Sequence, residues 1–105
     1  MKIIAVNIGK TVNNHKDIIE SIERAWVLNK TRAMGCEYII GVIKGIVYKD
    51  AYFVINQEKV KQDGEHPNRV KFELLEKCND EQIAMINQYI INNNSNLGGF
   101  TTKYL

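Results

Sequence analysis

The sequence predicts an α+β fold: a small, strongly curved mixed sheet or partly closed β-barrel carrying two to three helices. Three observations predict it. Residues 2–8 and 69–75 alternate in apolar character with the period of two that turns one face of a strand inward. Residues 37–43 and 46–55 are β-favouring runs separated only by Lys44-Gly45, the pattern of a tight hairpin. Residues 15–24 and 80–91 instead repeat their apolar positions at helical spacing.

In chain order, Ile4, Val6 and Ile8 mark the inner face of a first strand that ends at Gly9. Ile18, Ile19 and Ile22 form the apolar stripe of a short helix, with Asn13 or Asn14 as N-cap and Asp17 favourably placed in the first turn. A brief apolar segment, 25–28, holds the only tryptophan, Trp26. One helical turn over 29–34 follows and is stopped by Gly35. After the hairpin, residues 57–68 are polar and contain Asp63-Gly64 and the only proline, Pro67, so they read as a long turn. Val70, Phe72 and Leu74 are the inward positions of the next strand. Ile83, Ile86 and Ile90 are the buried stripe of a C-terminal helix capped by Asn79 or Asp80. The asparagine run at 92–96 is a connector to a last strand over 98–105.

With 105 residues the chain has the size of a single domain spanning 1–105. Its 45% hydrophobic and 25% charged residues are ordinary globular values, and no apolar run approaches the roughly 20 residues that span a bilayer. The N-terminal residues lack the apolar core and cleavage site of a signal peptide. Cys36 and Cys78, the only cysteines, are too few for a disulfide framework and read as reduced, packed thiols. The expected location is therefore cytoplasmic. A net charge of +2 argues against a duplex-binding stripe, since lysines and arginines between Lys44 and Lys77 are interleaved with acidic residues. The richness in Ile, Asn and Lys is the bias of AT-rich coding sequence, as in low-GC bacteria and their phages.

Few residues carry chemistry by their spacing. Gly9-Lys10-Thr11 resembles the end of a phosphate-binding loop, but Ile4 stands where the motif's first glycine belongs, so the segment reads as a strand-to-loop turn able to contact an anion. Asp63, Glu65 and His66 cluster in the polar turn, yet neither His66 nor His15 belongs to a paired metal-ligand spacing. Cys36 has no local signature of a nucleophile. The runs Tyr38-Ile39-Ile40-Gly41 and Gly45-Ile46-Val47-Tyr48 stand in the wrong order for a GIY-YIG nuclease. The remaining cluster is Arg24 and Trp26, with Tyr48, Tyr52 and Arg69 on later strands. Aromatic faces beside guanidinium groups suit a planar base through stacking, cation–π contact and hydrogen bonding. A single tryptophan in so small a domain also commonly fills the core.

In these residues the chain resembles the PUA-like small barrels that include ASCH, EVE and YTH domains, and most closely short standalone bacterial and phage proteins of that type. The resemblance rests on Arg24-Ala25-Trp26, Thr31-Arg32-Ala33, the strand 37–42, Lys44-Gly45-Ile46-Val47, the strand 52–55, Arg69-Val70-Lys71-Phe72 and the glycine-containing end at 98–104. The chain departs from the pattern at Gly99-Phe100-Thr101, where relatives tend to have Asn-Pro, and in its short loop before Arg69. The resemblance implies a PUA-like barrel, without a cofactor, that binds a nucleotide, a nucleotide-derived signal, a modified base or single-stranded RNA in a barrel pocket, generally without catalysis. Little net charge favours a pocket for one nucleotide-like group over a groove for duplex. In a phage or mobile element such a module would sequester a nucleotide signal.

Two other functions compete with this binding module. A protein-interaction module would inhibit a host enzyme by pairing an exposed strand edge. A nuclease or RNA-processing hydrolase would act through Asp63, Glu65 and His66. Exposed edges on a small barrel also favour a homodimer.

Overall fold

Backbone pairing divides the described strands of this chain into two sheets, and three recesses lie along the line where the edges of those sheets meet. The computed structural model describes residues 1–11 and 18–105; Asn13, Asn14, His15 and Asp17, expected in the first turn of the first helix, lie outside them. Among the described residues the elements are β1 (Ile3–Asn7), α1 (Ile18–Glu23), β2 (Trp26–Val27), α2 (Lys30–Met34), β3 (Tyr38–Ile43), β4 (Ile46–Val54), β5 (Val60–Gln62), β6 (Arg69–Phe72), β7 (Glu76–Lys77), α3 (Asp80–Asn92) and β8 (Thr102–Tyr104). The α+β class holds. The strands form a five-stranded sheet in the order β7-β4-β3-β1-β8 and a three-stranded sheet in the order β2-β6-β5, rather than one closed barrel.

β1 lies parallel to β3, with Ile4 opposite Ile39 and Val6 opposite Gly41, which requires the crossover that α1 and α2 supply. Because side chains alternate across a strand, the five-stranded sheet has two apolar faces. Ile4, Val6, Ile39 and Phe53 face the three-stranded sheet, where they pack with Ile22, Trp26, Val70 and Phe72. Ile3, Ala5, Ile40 and Val42 face the other way and are covered by Ile86 of α3, with Tyr52, Val54 and Tyr89 beside them. Asn79 caps α3: its side chain accepts from the Gln82 backbone N–H, and the Gln82 side chain accepts from the Asn79 backbone N–H.

The hairpin turn forms as expected, with Lys44 and Gly45 both at positive φ, 52° and 78°. β4 is not the regular strand its sequence predicts. Val47 pairs with Val42 and Tyr52 with Ile40, so residues 48–51 all stand opposite Gly41, and Asp50 takes a left-handed φ of 65°. The bulge turns Ala51 inward while Val47 stays on the opposite face of the sheet. It requires glycine at 41, because a Cβ there would lie 2.8 Å from Ile8 Cδ1 and 3.1 Å from both Ala51 Cβ and Ile22 Cδ1.

Three further differences have local causes. The polar turn expected over 57–68 contains a 3-10 turn at Gln57–Lys59 and the strand β5, whose pairing with β6 matches Val60 to Phe72 and Gln62 to Val70. The strand expected to run to Leu75 stops at Phe72. Leu74, expected inside, has φ of 55° and is 64% exposed, and Leu75 is buried in its place. Gly35 ends α2 with φ of −81°, so its role there needs no left-handed backbone; its N–H instead caps the Arg32 carbonyl, and the Cys36 N–H caps that of Ala33.

Candidate functional site

β2 and β8 are edge strands of different sheets, and they meet without a backbone ladder. Two side chains bridge them. The Thr102 hydroxyl donates to the Val27 carbonyl at 3.2 Å, and the Tyr104 hydroxyl donates to the Asn29 carbonyl at 3.4 Å. A ladder would fill the space between two edges with regular backbone; two point contacts leave room beside them. Along this seam lie recesses of about 270, 510 and 360 Å³.

The 270 Å³ recess is lined by Asn7, Lys10, Thr11, Trp26, Phe100 and Thr101. β1 ends at Asn7, whose backbone N–H donates to the Thr101 carbonyl at 2.8 Å, so the two ends of the chain meet here. The Asn7 side-chain oxygen accepts from the Gly9 N–H at 2.9 Å, which leaves its amide nitrogen as the group it can offer a ligand. Thr11 closes the turn by donating both its N–H and its hydroxyl to the Ile8 carbonyl, at 3.0 and 3.3 Å. Phe100 is half-buried, with Lys103 Nζ at 5.8 Å from its ring centroid. Among the described residues the lining has aromatic surface, one ammonium, two hydroxyls and an amide, and neither a carboxylate nor an imidazole. Such a set can hold a planar, polar or anionic group by stacking and hydrogen bonds.

Trp26 is both core and wall. Only 6% of it is exposed, and its indole N–H donates to the Ile22 carbonyl at 2.9 Å, so it borders the recess while its hydrogen-bonding group is engaged within the fold. Arg24 and Arg69 are exposed on the same corner. Arg69 stands opposite Val27 in the β2–β6 ladder, and its guanidinium donates to the Ala25 carbonyl at 3.3 Å. Neither arginine lines the recess. Tyr52 lies on the opposite face of the five-stranded sheet and donates its hydroxyl to Asn87 of α3 at 2.7 Å. Tyr48 is exposed in the β4 bulge. The structure thus gathers Arg24, Trp26 and Arg69 and sets Tyr48 and Tyr52 elsewhere.

Asp63, Glu65 and His66 belong to a turn held by the Asp63 N–H on the Arg69 carbonyl and the Arg69 N–H on the His66 carbonyl, both at 2.9 Å. Glu65 and His66 are exposed, Asp63 is partly so, and among the described residues no three His, Cys, Asp or Glu side chains converge as metal ligands would. Both cysteines are free thiols. Burial pushes the Cys78 thiol up to about 11. No helix among the described residues is long and apolar enough to cross a membrane.

Sequence reasoning reached Lys10 and Thr11 through the anion-contacting turn but missed Phe100 and Thr101 as partners of Trp26. Their signal was the departure at Gly99-Phe100-Thr101, which places an aromatic ring where the resembled pattern has Asn-Pro. Comparison of the chain with protein-family models, curated proteins and solved structures finds no match.

Proposed function

We propose that this chain is a non-enzymatic binding module of the PUA-like type that holds a nucleotide, a nucleotide-derived signal or a modified base in the recess between Trp26 and Phe100. One observation carries the proposal: the meeting of β1's end, β2 and the 98–101 segment places two aromatic side chains beside Lys10, Thr11 and Asn7 in a space of about 270 Å³. Drug-sized ligands occupy roughly 300–1,000 Å³, so this space suits one base or one nucleotide head group. Phe100 is the ring with more surface available for stacking, because it is half-buried while Trp26 is buried. Base stacking on an aromatic side chain is worth about 1–3 kcal/mol, and the Lys10 ammonium adds a point charge for a phosphate or a base carbonyl.

The test uses Trp26, the only tryptophan, as the reporter of its own recess. Its emission and the melting temperature are followed across a panel of mononucleotides, cyclic nucleotides and ADP-ribose derivatives. A binder should change the emission saturably and raise the melting temperature. Phe100→Ala and Lys10→Ala should each weaken that binding by about tenfold, equivalent to about 1.4 kcal/mol. A panel that moves neither signal, or binding that survives both substitutions unchanged, refutes the proposal.

A further inference from the structure

The 360 Å³ recess at the far end of the seam is built differently from the one beside Trp26. Among the described residues its lining is Lys2, Thr31, Arg32, Gly35, Cys36, Tyr104 and Leu105, with no side-chain carboxylate. The Arg32 guanidinium lies over the Tyr104 ring with its carbon 3.8 Å from the centroid, and the Tyr104 hydroxyl is anchored on Asn29. Stacking fixes the plane of the guanidinium while leaving its N–H groups at the rim for hydrogen bonding. Among the described residues neither Arg32 nor Lys2 has an ion-pair partner. The carboxylate of Glu37, next to Cys36 in the chain, accepts from the Lys2 backbone N–H at 3.3 Å.

Arg32 and Lys2 line the same recess as Cys36. Burial pushes the Cys36 thiol up, while Arg32 and then Lys2 pull it down, so both charges are felt at the same sulfur, with Glu37 acting weakly the other way. The sulfur itself is turned onto the Arg32 carbonyl at 3.5 Å, and Cys36 is 3% exposed, which makes it floor. A planar fork, an ammonium and a threonine hydroxyl around one cavity match the tetrahedral oxygens of a phosphate better than the flat surface of a base.

We propose that this recess binds a phosphate monoester group, as a second site separate from the Trp26 recess and independent of what that recess holds. Arg32 supplies paired N–H donors, Lys2 the second charge, Thr31 a hydroxyl, and Tyr104 keeps the guanidinium in place.

The test is a titration of the 15N-labelled protein, followed by two-dimensional NMR at constant ionic strength, with inorganic phosphate, AMP, adenosine and a chloride control. Phosphate and AMP should shift the amides of Thr31, Arg32, Gly35 and Cys36 and the Arg32 side-chain N–H saturably; adenosine and chloride should leave them in place. Arg32→Gln should weaken the phosphate response at least tenfold, and Lys2→Gln, which leaves the Tyr104 stack intact, should weaken it in the same direction. The Trp26 indole signal reads the other recess in the same spectra, so failure of one site is distinguishable from failure of the other. Absence of a saturable shift with both phosphate and AMP overturns the proposal, as does an undiminished response in Arg32→Gln. If AMP shifts these amides at lower concentration than phosphate, the source is a nucleotide rather than the free anion.

Discussion

The root of the β3–β4 hairpin and the β2–β8 seam close the same apolar interior by opposite means. At Gly41 four residues of β4 crowd against one, and no space remains for a methyl group. At the seam two edges are held by the hydroxyls of Thr102 and Tyr104, and recesses open beside them. Side chains packed against Gly41 leave no room for a guest, whereas two edges held by a pair of hydroxyl contacts leave room without exposing the core. Candidate sites in this fold therefore follow from where the edges of the two sheets meet without a ladder.

The contrast is most sharply broken at its tight end. Gly41→Ala should cost about 2–3 kcal/mol of unfolding free energy, because the new Cβ meets Ala51 Cβ as well as two isoleucine termini that could rotate away. Denaturant melts measure this, and a loss under about 0.5 kcal/mol would mean that the bulge relaxes freely. The tight side also contains one fault. Ser21 is fully buried, and among the described residues its hydroxyl has no hydrogen-bond partner. Since an unsatisfied buried hydroxyl costs about 1–3 kcal/mol, Ser21→Ala should raise stability by about 1 kcal/mol, seen as a higher melting temperature. A lower one would show that the hydroxyl is bonded after all.

At the loose end, Thr102→Val removes one seam hydrogen bond and should cost about 0.5–1.5 kcal/mol. Its signature should be local: faster amide exchange in 26–29 and 102–104, with the β3–β4 ladder unchanged. Uniformly faster exchange would dissolve the distinction between the two regions.

Much of the fold was legible because its signals are local. The period-two pattern of β1, the Lys44-Gly45 turn and the Asn79 cap each depend on residues a few positions apart, and each appears where the sequence places it. β5 and β7 were not legible. Lys61, Gln62, Glu76 and Lys77 have no intrinsic strand signal and become strands only because β6 and β4 lie beside them. The bulge was hidden for a related reason: Ile46 to Ile55 reads as one β-favouring run with Lys49-Asp50 inside it, and only the crowding of Ile8 and Ile22 around Gly41 shows that β4 must step outward there. For the site, residues near Trp26 in sequence were found, whereas those that complete its recess arrive from both chain ends. Thr102 reaches Val27 across 75 positions, a separation that no local pattern encodes. Aromatic character alone singled out Tyr48 and Tyr52, and strand parity then placed Tyr52 on the far face.

The β4 bulge also affects how the molecule meets its neighbours in solution. β7 covers β4 only at Phe53 and Val54, so among the described residues 46–51 have no ladder partner on that side. A straight strand with Ile46 70% exposed would be a template for adding foreign strands, the first step of fibril growth. The left-handed Asp50 and the four-against-one pairing break the register that an incoming strand would need to copy. The distortion that packs Ala51 into the interior thereby guards the sheet's longest open margin against aggregation.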